Sequence, residues 1–318
     1  MYIEKIKKIC QQQFNQLPKD IYRNETGISS YVYTIVYQKE KYIIKLSEKS
    51  SIISGSIYWF NQLKNLDLPI PKIISVNIEE NPSYCIMTFL EGKDLGLVYK
   101  SLNDNQKKNI ANQMFYYQNE LKKIRPIEGY GYLNSYDDTI NKKESWNEVV
   151  WAHIIRAEER IKNNKIFTIK YVNIVKKYFK YFEEYFSEIK SIPFFDDLTT
   201  KNVLIDNGKI TGIVDLDWIC FGDRLYVIAL CQTSLLNMNC DLSYINYWKD
   251  LEKLSESQEK ALLFYILVFC IDFMSEKGMK FNKDITEVVR KEDIDILENI
   301  FLIYSNKLEK EINVKLQE

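Results

Sequence analysis

Residues 193–226 read PFFDDLTTKNVLIDNGKITGIVDLDWICFGDRLY. Short apolar runs alternate here with acids set just outside them. Asn207-Gly208 is the pair favoured in a two-residue hairpin turn, because both central positions take positive φ. Folding the chain about that turn pairs Asp206 with Lys209, Ile205 with Ile210 and Val203 with Gly212. Asn202 then falls opposite Ile213, with Asp215 at the same open end, and Asp197 belongs to the loop that feeds it. Oxygen-bearing side chains converging at one mouth, able to supply two metal ligands and a base, are what phosphoryl transfer requires.

Outward from the hairpin, the chain of 318 residues is long enough to bury a sizeable core and to divide into two lobes. Lys+Arg numbers 43 and Asp+Glu 44, giving a net charge of -1. No polybasic tract breaks this balance, so nucleic acid is not the expected partner. The N-terminal MYIEKIKKICQQQF lacks a long apolar h-region, and the apolar run 261–274 is too short to span a bilayer. No membrane partner is expected. The six cysteines, at 10, 85, 220, 231, 240 and 270, have no paired spacing, and the chain has one histidine. A zinc site is not expected, and a reducing, cytoplasmic setting is.

The amphipathic pattern of 1–15 predicts a helix. Alternation from Tyr31 to Tyr37, a break at Lys39-Glu40 and the run Tyr42 to Leu46 predict a β-hairpin, preceded by the small-residue turn 26–30. Such a turn either exposes backbone N–H groups to a phosphate or is an ordinary β-turn. Lys45, between Ile44 and Leu46, is either an edge lysine that snorkels to water or a charge with a task. A helix over 50–67 and strands over 72–76 and 84–89 follow. Residues 90–93 break the pattern, which places a hinge near 88–95, with one lobe over 1–92 and a second over 93–318. From 102 onward helices dominate: 102–124 with Asn103 as N-cap, 145–162, 166–190, one from near Tyr226, 256–275, and one within 284–312. A polar, tyrosine-bearing loop is expected between the helix from near Tyr226 and the one at 256–275. His153, isolated on its helix, is expected to be structural. The fold class is α+β: a small antiparallel β lobe, then a larger, mainly helical lobe carrying the hairpin.

With these residues in place, the chain resembles the aminoglycoside phosphotransferase and choline kinase-like family, relatives of the protein kinases. The family's catalytic loop has the pattern His-x-Asp-x₄-Asn. Here that register reads Phe195-Asp196-Asp197 through Asn202, with a strand-borne Asp215 thirteen residues on and Gly222-Asp223 after it. The resemblance implies a bilobal protein-kinase-like fold with Asp197 as the base that receives the acceptor hydroxyl's proton. Asn202 and Asp215 would hold Mg²⁺, and Lys45 with the loop residues Gly27, Ser29 and Ser30 would bind ATP or GTP. Asp217 is then either a further ligand or a surface acid, and Asp223 caps the next helix or braces the loop. Two departures stand out. Phe195 replaces the usual histidine, and helix 50–67 offers no glutamate to Lys45, with Glu48 the nearest upstream acid.

The implied activity is transfer of a γ-phosphate to a hydroxyl of a small molecule by a monomeric or dimeric enzyme. For a cationic acceptor, such as an aminoglycoside-like antibiotic or an amino alcohol, acids should line the second lobe's cleft. Candidates are Asp137, Asp138, Glu158, Glu159, Asp272 and Glu276. The alternative is a nucleotide-binding pseudokinase or regulatory module with little or no transfer, which the two departures would favour.

Overall fold

The computed structural model describes residues 2–24, 30–281 and 288–312. The chain opens with helix α1 (Ile3–Phe14), followed by strands β1 (Asp20–Asn24), β2 (Tyr31–Val36) and β3 (Lys41–Ser47). Helix α2 (Ser50–Leu63) leads to β4 (Ile73–Asn77) and β5 (Ser83–Thr88). These five strands form one antiparallel sheet in the order β1-β2-β3-β5-β4. The expected alternation is what makes its inner face. Tyr33, Ile35, Ile44, Leu46 and Ile86 are buried against Ile6, Ile9 and Cys10 of α1. Strand β1, at the edge of this sheet, was not expected; its DIYRN sequence is nowhere fully buried and carries no apolar alternation.

A short strand β6 (Lys93–Asp94) and the single turn α3 (Leu95–Val98) begin the second lobe. Helix α4 (Asp104–Glu120) is capped by Asn103, whose side chain accepts from the Gln106 N–H in a reciprocal capping box. Strand β7 (Gly131–Leu133), helices α5 (Trp146–Asn164) and α6 (Lys170–Ser187) and strand β8 (Ile192–Phe194) follow. Next come the hairpin β9 (Val203–Asp206) and β10 (Lys209–Ile213), then β11 (Ile219–Gly222), α7 (Leu225–Asn237), α8 (Ser243–Glu252), α9 (Glu256–Glu276) and α10 (Lys291–Ile312). The architecture is the expected bilobal α+β arrangement. Helix α9 is apolar all round because other helices surround it, with residues from Ala261 to Met274 buried on nearly every face. Among the described residues, no helix is long and apolar enough to cross a membrane.

Two expectations are corrected. The polar loop before 256 is in large part helix α8, whose Tyr244, Ile245 and Trp248 are buried while polar residues fill the outer face. The hairpin register also slips by one residue. Lys209 pairs with Asp206 and Ile210 with Ile205, but a bulge then sets Gly212 opposite Leu204 and Ile213 opposite Val203. The extra residue is Thr211, whose hydroxyl donates to the Glu91 carbonyl at 2.6 Å and the Leu204 carbonyl at 3.3 Å. Those bonds tie the hairpin to the connection between the lobes.

Candidate active site

The bulge changes what faces Asn202. Instead of Ile213, the next residue meets it: the Val214 N–H donates to the Asn202 carbonyl at 3.0 Å. Asp215 therefore follows directly from the residue bonded to Asn202. Both side chains leave the backbone from left-handed conformations, φ 62° at Asn202 and 64° at Asp215. Asn and Asp are the non-glycine residues that tolerate this region best. Backbone held there at two neighbouring polar residues is the kind of stored strain that clusters at functional sites.

Asp197 joins them from the loop after β8. Its Oδ2 accepts from Asn202 Nδ2 at 3.0 Å, and the same amide donates to the Asp197 carbonyl at 3.0 Å. With Nδ2 so engaged, the Oδ1 of Asn202 is left as the amide's acceptor atom. Asp197 is exposed to solvent. The protein crowded around it, and then the nearby Asp215 carboxylate, push its pKa up to about 7 against the opposing pull of Lys201 and Asn202. Burial, then the Asp197 charge, hold the neighbouring Asp196 carboxyl well above its ordinary range.

The loop between these residues is fastened from below. Cys231 Sγ donates to the Leu198 carbonyl at 2.7 Å, and the hydroxyls of Thr200 and Ser234 lie 2.9 Å apart. The Gly96 N–H donates to the Thr200 carbonyl at 2.7 Å. Phe195, in the histidine position, is buried in the core of the second lobe. Its backbone is clamped by one side chain: Gln118 Nε2 donates to the Phe195 carbonyl at 3.0 Å, and the Phe195 N–H donates to Gln118 Oε1 at 3.1 Å. Gln118 lies on helix α4 with no local signal of this task, and sequence reasoning missed it. Asp223 holds the start of α7 and ties it to helices α6 and α9, with no hydrogen bond to the loop at 195–202 among the described residues. Its Oδ1 accepts from the Leu225 N–H at the start of α7, and its Oδ2 accepts from the hydroxyls of Tyr185 and Tyr265.

From the first lobe, strand β3 carries Lys45 to the same cleft. Its Nζ lies 2.6 Å from Asp215 Oδ1 and 2.5 Å from Asp217 Oδ1. Burial alone would lower the lysine's pKa, but the two carboxylates outweigh it and raise it. Lys45 is thus neither a snorkelling edge lysine nor paired with Glu48, which accepts a hydrogen bond from the Tyr2 hydroxyl instead. Asp217 is no surface acid either, at 2% exposure. Of the phosphate-loop candidates, Ser30 is buried, and its hydroxyl has no hydrogen-bond partner among the described residues. Gly27 and Ser29 lie outside the described residues.

The acids considered for a cationic acceptor are mostly engaged elsewhere. Asp138 accepts from the side chain and backbone of Asn141 and from the Asn134 N–H. Glu158 is paired with Lys162 and Lys176, and Asp137 and Glu159 are exposed. Asp272 lies 3.1 Å from His153 Nε2, 3.2 Å from an Arg156 nitrogen and 3.7 Å from one of Arg160. It is therefore the anionic centre of a structural cluster, with His153, as expected, structural too. Glu276 differs. It is partly exposed and bound only to Arg160 among the described cations, at 3.5 Å, and its charge is felt at Asp197.

A small β lobe presenting a lysine to an acid from the loop after β8 and to an amide and an acid at the open end of the hairpin defines a kinase-like phosphotransferase. The profile of the phosphotransferase enzyme family, APH, matches residues 20–256, and the chain belongs to that family. Among solved structures, it is similar over 98% of its length, and 100% of the other's, to a thermostable mutant of aminoglycoside phosphotransferase APH(4)-Ia in ternary complex with AMP-PNP and hygromycin B (TM-score 0.69, 15% identity). It is also similar to ADP-bound aminoglycoside phosphotransferase APH(2'')-Ib, covering 96% and 98% of the two chains (TM-score 0.62, 14% identity). The streptomycin–ATP–APH(2'')-IIa ternary complex matches over 96% and 97% (TM-score 0.62, 14% identity). No curated protein matches the chain.

Proposed function

We propose that this phosphotransferase moves the γ-phosphate of ATP, or of GTP, to a hydroxyl of a small molecule, with Asp197 as the catalytic base. The observation that carries this reading is the convergence of Asp197, Asn202 and Asp215 beneath Lys45. In this reading Asp197 accepts a hydrogen bond from the acceptor hydroxyl, orients it and takes its proton as the new bond to phosphorus forms. Asn202 holds the Asp197 carboxylate in place through its amide, so a base that would otherwise rotate stays aimed. Lys45 meets the nucleotide's phosphates. Asn202 Oδ1 and the Asp215 carboxylate are hard oxygen donors suited to Mg²⁺. When bound there, the ion would neutralise charge on the phosphates.

For the acceptor, the engaged state of Asp138, Glu158 and Asp272 favours a molecule with a single amine, as in an amino alcohol, over a polycation. Glu276, partly exposed and close enough for its charge to be felt at Asp197, is the carboxylate we assign to that amine. The pseudokinase reading draws on Phe195 and on the absent helix glutamate, and both have local compensation, in Gln118 and in Asp217. The test is an acceptor screen with ATP and with GTP, reading release of nucleoside diphosphate. An acceptor should raise turnover, and Asp197→Asn should lower it by about 10²–10⁴-fold while nucleotide binding persists. If nucleotide binds and no acceptor raises turnover, the pseudokinase reading replaces this one.

A further inference from the structure

Helix α2 reads SSIISGSIYWFNQL and holds no acid at any position. Lys45 is nonetheless 5% exposed, and a buried ammonium requires a counter-charge. Two carboxylates supply it, and their surroundings differ. The Asp215 side chain is 37% exposed and opens to the cleft, whereas that of Asp217 is 2% exposed and closed off from it. Oδ1 of Asp217, the oxygen that meets Lys45, also accepts a short hydrogen bond from the Ser56 hydroxyl of α2. The contact depends on the residue before it. A Cβ at Gly55 would lie 2.4 Å from the Asp217 carbonyl oxygen and 3.1 Å from Asn134 Cβ, so only glycine lets α2 approach this closely.

We propose that Asp217 is the positioning residue that aims Lys45 at the nucleotide, docked to helix α2 by Ser56, so that the lysine's permanent carboxylate comes from the segment after β10 and not from α2. Asp215, facing the cleft, is the exchangeable partner, free to turn from the lysine when phosphates arrive. Asp217 stays because Lys45 and Ser56 hold one of its oxygens and the surrounding protein encloses it. The inference rests on the phosphotransferase reading of Lys45.

Calorimetric titration of the full chain with ADP, and with GDP as a second probe, in EDTA and then in magnesium, tests it. Asp217→Asn keeps the shape of the side chain and should weaken nucleotide binding about tenfold in both conditions. A ligand to the metal would lose affinity in magnesium alone. The loss should vanish in a Lys45→Met background, because the two residues act as one unit. Ser56→Ala, which leaves the carboxylate in place, should give a smaller loss of about two- to fivefold. Moving the acid to the helix, by adding Ser56→Glu to Asp217→Asn, should restore part of the affinity. Unchanged binding by Asp217→Asn, a loss confined to magnesium, or full additivity with Lys45→Met overturns the proposal and leaves the phosphotransferase reading standing. Failure of the unmodified protein to bind either nucleotide overturns both.

Discussion

Gln118 illustrates how one side chain can stand in for another at a distance. Phe195 stands where the resemblance implies a histidine, and a glutamine on α4 engages both polar groups of its backbone. Gln118→Leu would leave that N–H and C=O buried without partners, at about 1–3 kcal/mol each. Urea unfolding should register a loss of about 2–4 kcal/mol, and turnover should fall further than stability because the unsupported loop carries Asp197. Much of the candidate site is legible at this scale. Asp197, Asn202 and Asp215 follow one another at fixed spacings in the chain, and short-range folding about the Asn207-Gly208 turn is enough to bring them near one another. Gln118 was not legible, because 77 residues separate it from its partner and nothing near it in sequence marks the task.

At the scale of elements, the hairpin bulge and the close approach of α2 carry the consequences. Thr211 leaves the ladder to reach the Glu91 carbonyl, and the slip it causes brings Val214 onto Asn202. Thr211→Val removes that hydroxyl with little change of shape. It should cost about 1 kcal/mol in denaturant titration and weaken coupling of the hairpin to the connection between lobes. Gly55→Ala is the sharper change. Its added Cβ meets backbone, not a flexible side-chain end, so α2 must shift from Asp217. Overpacking of this kind costs about 1–3 kcal/mol, and the Michaelis constant for ATP should rise more than kcat falls. Most elements can be read from periodicity, because their buried faces repeat at 3.6 or 2 residues. Among those that cannot are strand β1 and helix α8. The first is half-buried at an edge, and the second hides three buried aromatic and aliphatic residues among polar ones.

Across the whole molecule, several buried acids of the second lobe serve structure. Burial would raise the pKa of Asp272, but His153, Arg156 and Arg160 outweigh it and hold the carboxyl well below the usual carboxylate range. Glu276 on the same helix shares Arg160, and burial keeps the His153 imidazole below its ordinary value, with the Tyr226 hydroxyl at its Nδ1. A carboxylate with a depressed folded pKa stabilises the protein above its unfolded value, about 3.9, and loses that contribution as pH falls through the folded pKa. Stability followed from neutral pH into acid should therefore decline below about pH 4, and Asp272→Asn should lack that part of the decline. At neutral pH the same variant should lose about 1–3 kcal/mol, because Arg156 loses its carboxylate partner and Arg160 keeps only Glu276. A change in nucleotide affinity alone, with stability intact, would contradict the structural role.

The sequence by itself determined the two-lobed α+β class, the hairpin at 203–213 and the set of acid, amide and acid around it, because each depends on local spacing and on turn chemistry. It could name Lys45 but not its partner. Only the tertiary structure decided that Asp215 and Asp217, 170 and 172 residues away, close on that lysine and that α2 contributes Ser56 in place of an acid. It likewise decided that Asp272 belongs to arginines and a histidine. The physical reason is common to these cases: a buried charge takes whichever opposite charge the packing brings within reach, and packing across lobes and helices leaves no local trace in the chain.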